Sequence, residues 1–140
     1  EAVMIYKFRA WDKDNKYMEY TDKNLVVCFS DEGVEVTDHT TFSHPCTSMQ
    51  NFELMQSTGL KDKNGVEIYE GDIIDKRYHN MHTYDSIAVV EFGKGYDSDG
   101  WAHGEWFGWV TDQDTSLADV YEECTVLGNK YENPELLEDE

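Results

Sequence analysis

Residues 59–75 read GLKDKNGVEIYEGDIID, and the two turn signals in this stretch decide the fold class. Asp62-Lys63-Asn64-Gly65 supplies a tight turn, because Asn and Gly reach positive φ at little steric cost. Val66, Ile68 and Tyr69 are strand formers, Glu70-Gly71-Asp72 breaks or bulges the run, and Ile73-Ile74 resumes it. Short strands joined by tight turns suit a small β-barrel. Asn64, Gly65, Gly71 and Asp72 are therefore read as structural turn residues, and nothing in the stretch is a catalytic signature.

Upstream, a strand is expected from about Ile5 to Ala10, with Tyr6, Phe8 and Ala10 on one face and Lys7 and Arg9 on the other. Asp14-Asn15-Lys16 turns the chain, Tyr17 to Tyr20 returns as a hairpin partner, and the apolar run Leu25 to Phe29 reads as a buried strand. Asp31 to Met49 is rich in Ser, Thr, His and Asp, and only Val34 and Val36 look like strand, so it reads as a loop. Phe52, Leu54 and Met55 form a short strand or a helical turn, since so brief a spacing does not separate the two. Glu1-Ala2-Val3, ahead of Met4, carries no part of this reading.

Downstream, Asp75 to Asp85 reads as loop and Ile87 to Phe92 as a strand with Ala88, Val90 and Phe92 on one face. Gly93, Gly95 and Asp97-Ser98-Asp99-Gly100 signal the next connection. Trp101 to Val110 is a further strand. In it Trp101, His103, Phe107 and Trp109 share one parity, while Trp106 stands between Gly104 and Gly108, a pattern that suggests a bend or bulge where the ring covers neighbouring backbone. Thr111 to Asp119 reads as a short helix or turn and Tyr121 to Leu127 as a closing strand. Asn133-Pro134-Glu135 has the form of a helix start, with Asn as cap and Pro at the first position.

Assembled, these elements predict one all-β or β-dominated domain over residues 1–140, with minor helix. Two small β-rich lobes are expected, over 4–50 and 51–137, the second a partly open SH3-like barrel. At 140 residues the chain is long enough to bury a sizeable core, and 39% hydrophobic and 14% aromatic residues provide the material for it.

Thirty acidic residues against 11 basic ones give a formal net charge of −19. The imbalance concentrates late: from Asp85 onward there are 15 acids and only Lys94 and Lys130 as bases. Such a field repels nucleic-acid phosphates and anionic membrane surfaces and favours basic partners or cations. Cys28, Cys46 and Cys124 are odd in number and widely spaced, which fits reduced thiols rather than a disulfide framework. No apolar run approaches the ~20 residues that span a bilayer, so the sequence reads as cytoplasmic, without membrane association.

The residues that could carry chemistry have simpler readings. His39, His44 and Cys46 lie close together and His79 and His82 form an H-x-x-H pair, but neither cluster has the second knuckle of a structural zinc site. Asp97, Asp99 and Gly100, and the pair Asp112 and Asp114, sit between expected strands, where a turn explains them better than an EF-hand loop does. Cys46 with His44, or Ser43 with His44 and Asp38, lacks any framework that would align a nucleophile with a base. Glu67, Glu70 and Asp72 read as exposed carboxylates around a turn. No catalytic residue, cofactor or metal is therefore assigned. Trp101, Trp106, Phe107 and Trp109 are the candidate interaction surface, because large aromatics dominate binding hot spots when partly exposed.

Three separated motifs, KFRAWD (Lys7 to Asp12), ELMQSTGLKDKNGVEIYEGDII (Glu53 to Ile74) and LGNKYENPELL (Leu127 to Leu137), together resemble the YopX-like proteins of phages and prophages. The resemblance implies phage origin, an intracellular bacterial setting and a β-rich fold that can form homo-oligomers; it brings no biochemical activity with it. The function expected is that of a non-enzymatic accessory protein working through protein contacts or self-assembly. The alternatives are an acidic DNA mimic that inhibits a host nucleic-acid-binding protein and, less favoured, a metal-dependent enzyme.

Overall fold

A computed structural model describes residues 6–39, 47–77, 86–98, 103–113 and 115–138. Among these the regular elements are eleven strands, one four-residue helix and one 3-10 turn. The fold is β-dominated, and its curled sheets include a half-barrel. The chain divides into two units, Glu1–Ser57 and Thr58–Glu140. The sequence reading puts the division at residues 50 and 51; the structure puts it inside a ten-residue strand.

In the first unit, β1 (Phe8–Asp12) pairs antiparallel with β2 (Tyr17–Tyr20), with Arg9 opposite Tyr20. The turn between them is built by Asp12, whose Oδ1 accepts the N–H groups of Asp14 at 3.0 Å and Asn15 at 3.1 Å. The other side of β1 pairs with the first half of a later strand, Phe8 opposite Gln56 and Asp12 opposite Phe52. This central position corrects the expected amphipathic pattern. Tyr6 lies outside the strand and is exposed, whereas Arg9 and Ala10, on opposite faces, are both buried.

A second sheet holds β3 (Leu25–Ser30), β4 (Gly33–Asp38) and β5 (Thr47–Ser48). Both β4 and β5 fall inside the stretch from Asp31 to Met49 that reads as a loop, and residues 40–46 of it lie outside the described set. Asp31-Glu32-Gly33 closes the β3–β4 hairpin, with Gly33 at a φ of 122° and the Ser30 hydroxyl accepting the Glu32 N–H. The run Leu25 to Phe29 is a strand but not a buried one. Leu25 enters the core and Val27 packs beside it, whereas Val26 points to the opposite face and Phe29, of the same parity as Leu25, lies farther along the strand and is exposed. Ala10, Leu25, Val36 and Met49 form this unit's core, with Tyr17, Val27, Phe52 and Leu54 around it. The Tyr17 hydroxyl donates to the Asp38 carboxylate and so ties β2 to β4.

Phe52, Leu54 and Met55 resolve as strand: they open β6 (Phe52–Lys61), whose second half belongs to the second unit. There β6 turns through Asp62–Gly65 into β7 (Glu67–Tyr69). The Asp62 N–H donates to Val66 O at 2.8 Å, the Gly65 N–H to Asp62 O at 3.0 Å, and Gly65 adopts a φ of 81°. After a second turn come β8 (Asp72–Asp75), β9 (Ile87–Ser98) and β10 (His103–Thr111). Helix α1 (Leu117–Val120) then leads to β11 (Thr125–Asn129), and the sheet order is β10-β9-β8-β11.

Ile68, Ile74, Ala88, Val90, Leu117, Val120 and Cys124 form the core of this unit. Each large aliphatic side chain among them contributes about 1.5–3 kcal/mol by leaving water. Two boundaries differ from the sequence reading. β9 runs to Ser98, so Gly93 and Gly95 lie within the strand rather than in a connection. β11 starts at Thr125, because the chain from Tyr121 to Cys124 continues the turn of α1, with Tyr121 N–H donating to Leu117 O and Cys124 N–H to Val120 O.

Candidate interaction surface

β9 and β10 form a long hairpin in continuous register, Trp106 opposite Gly95, Phe107 opposite Lys94 and Trp109 opposite Phe92. Alternation then sorts the aromatics. Trp106 belongs to one face, while Phe107 and Trp109 belong to the other, together with Phe92. The four residues singled out by sequence therefore do not make one surface, and Trp101 lies outside the described residues.

The expected bulge at Trp106 is absent from this register. Its indole instead lies on Gly95 across the ladder: a Cβ at Gly95 would overlap Cζ2, Cη2 and Cε2 of the ring. A Cβ at Gly108 would come within 3.1 Å of the same ring. The glycines thus make the room into which Trp106 packs, and Gly95 is buried beneath it.

On the other face the hairpin runs outward from the core. Val90 and Thr111 are buried, and Trp109 packs against the core cluster. Trp109 meets Phe92 edge to face, with ring centroids 5.3 Å apart and planes at 79°. Beyond them Phe92 is 58% exposed and Phe107 73% exposed. Phe92 was missed as a surface residue, because its parity with Ala88 and Val90 marks the inward face. That parity holds, but β9 extends past the core.

The motif turns are structural in detail. Asp62 is buried, its Oδ1 accepting the N–H groups of Asn64 and Val66 and its Oδ2 the N–H of Val126, each at 2.9 Å. Burial pushes this carboxyl up, yet the three backbone donors and the nearby Lys63 outweigh it and hold Asp62 below the usual carboxylate range. At the second turn Asp72 Oδ2 accepts the Tyr69 N–H at 2.7 Å across Glu70 and Gly71, the latter at a φ of 88°. Asp72 is buried, which corrects its reading as an exposed carboxylate.

The late motif meets that same turn. Gly71 O accepts the Lys130 N–H at 3.0 Å, and Gly71 N–H donates to Val90 O at 2.8 Å. Asn129 pairs with Asp72 and accepts the N–H groups of Tyr131 and Glu132 on its Oδ1. Asn133 does not cap the following 3-10 turn, Pro134–Leu137, through its side chain; its Oδ1 accepts the Asn129 N–H at 3.2 Å. The Asn133 side chain fills the space where a Cβ on Gly128 would stand.

Among the described residues no group of three or more His, Cys, Asp or Glu side chains is placed to hold a metal ion. Of the metal and nucleophile candidates, Ser43, His44, Cys46, His79, His82, Asp99, Gly100 and Asp114 lie outside the described residues, as does the Asp97 side chain. His39 is exposed at the end of β4, and Glu67 and Glu70 are half-buried beside the motif turn. Asp112 is used by the fold, its Oδ1 accepting the Val89 N–H at 2.9 Å. Cys28 is exposed and Cys124 buried, both as free thiols. Burial first, and then Asp62, push the Cys124 thiol up to about 11. Among the described residues no helix is long and apolar enough to cross a membrane.

Curled antiparallel sheets, a half-barrel and acids embedded in the turns define the class as a small β-dominated protein. More specifically, the chain belongs to the YopX family, whose model, described as YopX protein, matches residues 7–138. It is similar to a solved structure, the crystal structure of protein EF1440 from Enterococcus faecalis. The two share 29% identity over 97% of this chain and 100% of that chain, with a TM-score of 0.48. No curated protein matches the sequence.

Proposed function

We propose that this protein is a non-enzymatic, phage-encoded accessory protein that acts in the bacterial cytoplasm through protein contacts. The observation that carries this reading is the Phe92–Phe107 ridge, two large rings left largely in water on one face of a regular hairpin. Asp62, Asp72, Asn129 and Asn133 of the family motifs are spent on turns and strand ends, which supports the aromatic face as the better candidate for recognition.

The acidic composition supports a second reading, occupation of a host DNA-binding protein by mimicry of phosphate charge. Its force is reduced by Asp12, Asp38, Asp62 and Asp72, which are buried within the fold and present no charge array to a partner.

Affinity-tagged protein expressed in the bacterial host separates the readings. Under the first, a specific partner is retained at physiological salt and lost from the double variant Phe92→Ser, Phe107→Ser. Under the second, retention fails steeply as salt rises, duplex DNA competes for the partner, and the double variant retains it. Repeated recovery of no partner removes the support for both.

A further inference from the structure

The β6–β7 turn sets a free electrophile beside a restrained nucleophile, a property independent of the protein-contact reading above. Of the chain's seven asparagines only Asn64 precedes glycine. In such a pair the glycine nitrogen can attack the asparagine Cγ, because the second residue has no side chain to crowd the ring that closes. Asn64 and Gly65 are both exposed, and a Cβ built on Gly65 would meet nothing within 4 Å, so the ring and an attacking water have room.

The two reacting groups are held differently. None of the described residues hydrogen-bonds the Asn64 carboxamide. The Gly65 N–H, by contrast, donates to Asp62 O at 3.0 Å, and Asp62 Oδ1 takes the N–H groups of Asn64 and Val66, each at 2.9 Å. Asp62 thus binds three consecutive N–H groups on both sides of the reacting bond. To attack, the Gly65 nitrogen must give up its proton and swing toward the Asn64 Cγ. Both steps need the turn bonds released, and such local opening carries its own free energy.

We propose that Asn64 is a self-modification site latched by Asp62, converted only when this turn opens. The Gly65 nitrogen loses its proton and bonds to Asn64 Cγ, the Cγ–Nδ2 bond breaks, and ammonia leaves a cyclic imide. Water opens the imide at Cγ to give aspartate, or at the backbone carbonyl to give isoaspartate. Either product adds one negative charge. Isoaspartate also routes the backbone through the side-chain carbon, one methylene longer, so the Gly65 and Val66 bonds to Asp62 no longer fit together and the latch does not re-form.

The full chain is held at neutral pH and conversion is read by ammonia release, anion exchange and peptide mapping with isoaspartate-specific methylation. A free peptide of residues 60–67 is the unlatched reference. The parent converts at least about tenfold more slowly than the peptide, and Asp62→Ala at least about tenfold faster than the parent. Leu117→Ala truncates a fully buried core side chain that takes no part in the turn's hydrogen bonds. It lowers the urea midpoint but leaves conversion near the parent rate. In the parent, the Gly65 amide exchanges hydrogen at least about tenfold more slowly than in the peptide, a measurement that stands even if Asp62→Ala does not fold. Conversion of the parent at the peptide rate, an Asp62→Ala rate equal to the parent's, equal acceleration by Leu117→Ala, or an unprotected Gly65 amide overturns the inference.

Discussion

The Asp62 carboxylate accepts the backbone N–H of Val126, 64 residues later in the chain, at 2.9 Å. One buried side chain therefore closes the β6–β7 turn with its first oxygen and fixes the start of β11 with its second. This joins the middle family motif to the strand that leads into the late one.

Asp62→Ala leaves three N–H groups without their acceptor. A loss of about 3 kcal/mol is expected, given about 1–3 kcal/mol for each donor that stays buried and partial rescue by water. Asp62→Asn retains one acceptor oxygen and loses less. Urea midpoints of the two variants check the order, and an alanine variant as stable as the parent would exclude the clamp.

The same carboxylate makes stability depend on pH. Its folded pKa lies below the unfolded value of about 3.9. The folded state therefore prefers the ionised form, and the stabilisation is fully present above that unfolded value. It is lost as pH falls through the lower folded pKa. The stability gap between the parent and Asp62→Asn should accordingly be constant near neutrality and narrow below about pH 4. A gap that stays unchanged down to acid unfolding would contradict the assignment.

Cys124 and Cys28 should separate in a thiol titration. At pH 8 Cys28 reacts at once, while Cys124, buried and with its thiol pushed up to about 11, reacts only after denaturant is added. The folded state holds the Cys124 proton more tightly than the unfolded chain, whose thiol titrates near 8.5. Stability therefore falls as pH rises from about 8.5 toward the folded value. In a Cys46→Ser background, comparison of Cys28→Ser with Cys124→Ser assigns the fast and slow fractions, and rapid labelling of Cys124 in the native state would contradict its burial.

Gly95→Ala tests the ring-on-glycine contact. The added methyl overlaps the Trp106 indole, so the ring must leave its site, at a loss of about 1–3 kcal/mol typical of overpacking. Trp106→Ala in the same background should recover some of that loss, and a shift of tryptophan emission should accompany Gly95→Ala alone. Additive effects of the two substitutions would show that they do not touch.

Tyr17→Phe removes the hydroxyl that donates to the Asp38 carboxylate, in a pair where burial first and then Asp38 raise the tyrosine pKa. The expected loss is about 1–2 kcal/mol, because the acceptor is a largely buried carboxylate. Thermal unfolding measures it, and no loss would mean that water replaces the hydroxyl at no cost.

Much was legible in the sequence because it is local. Asn64-Gly65 and Gly71-Asp72 announce turns through backbone preferences that need no tertiary partner, and the alternation from Ala88 to Phe92 places β9. Within the three motifs, Asp12, Asp62, Gly71, Asp72 and Asn129 build turns, while the rest is mostly strand. What the tertiary structure decided depends on neighbours distant in the chain. Arg9 is buried because β1 is central, and β4 forms because Gly33 lets the chain turn back onto β3. Phe92 reaches water because β9 outruns the core, and Trp106 lies on Gly95 because the β9–β10 register sets the two opposite each other. Asp62 read as a turn residue is correct from local preference alone. That its second oxygen holds Val126 is set by where the closing strand returns, which no local pattern encodes.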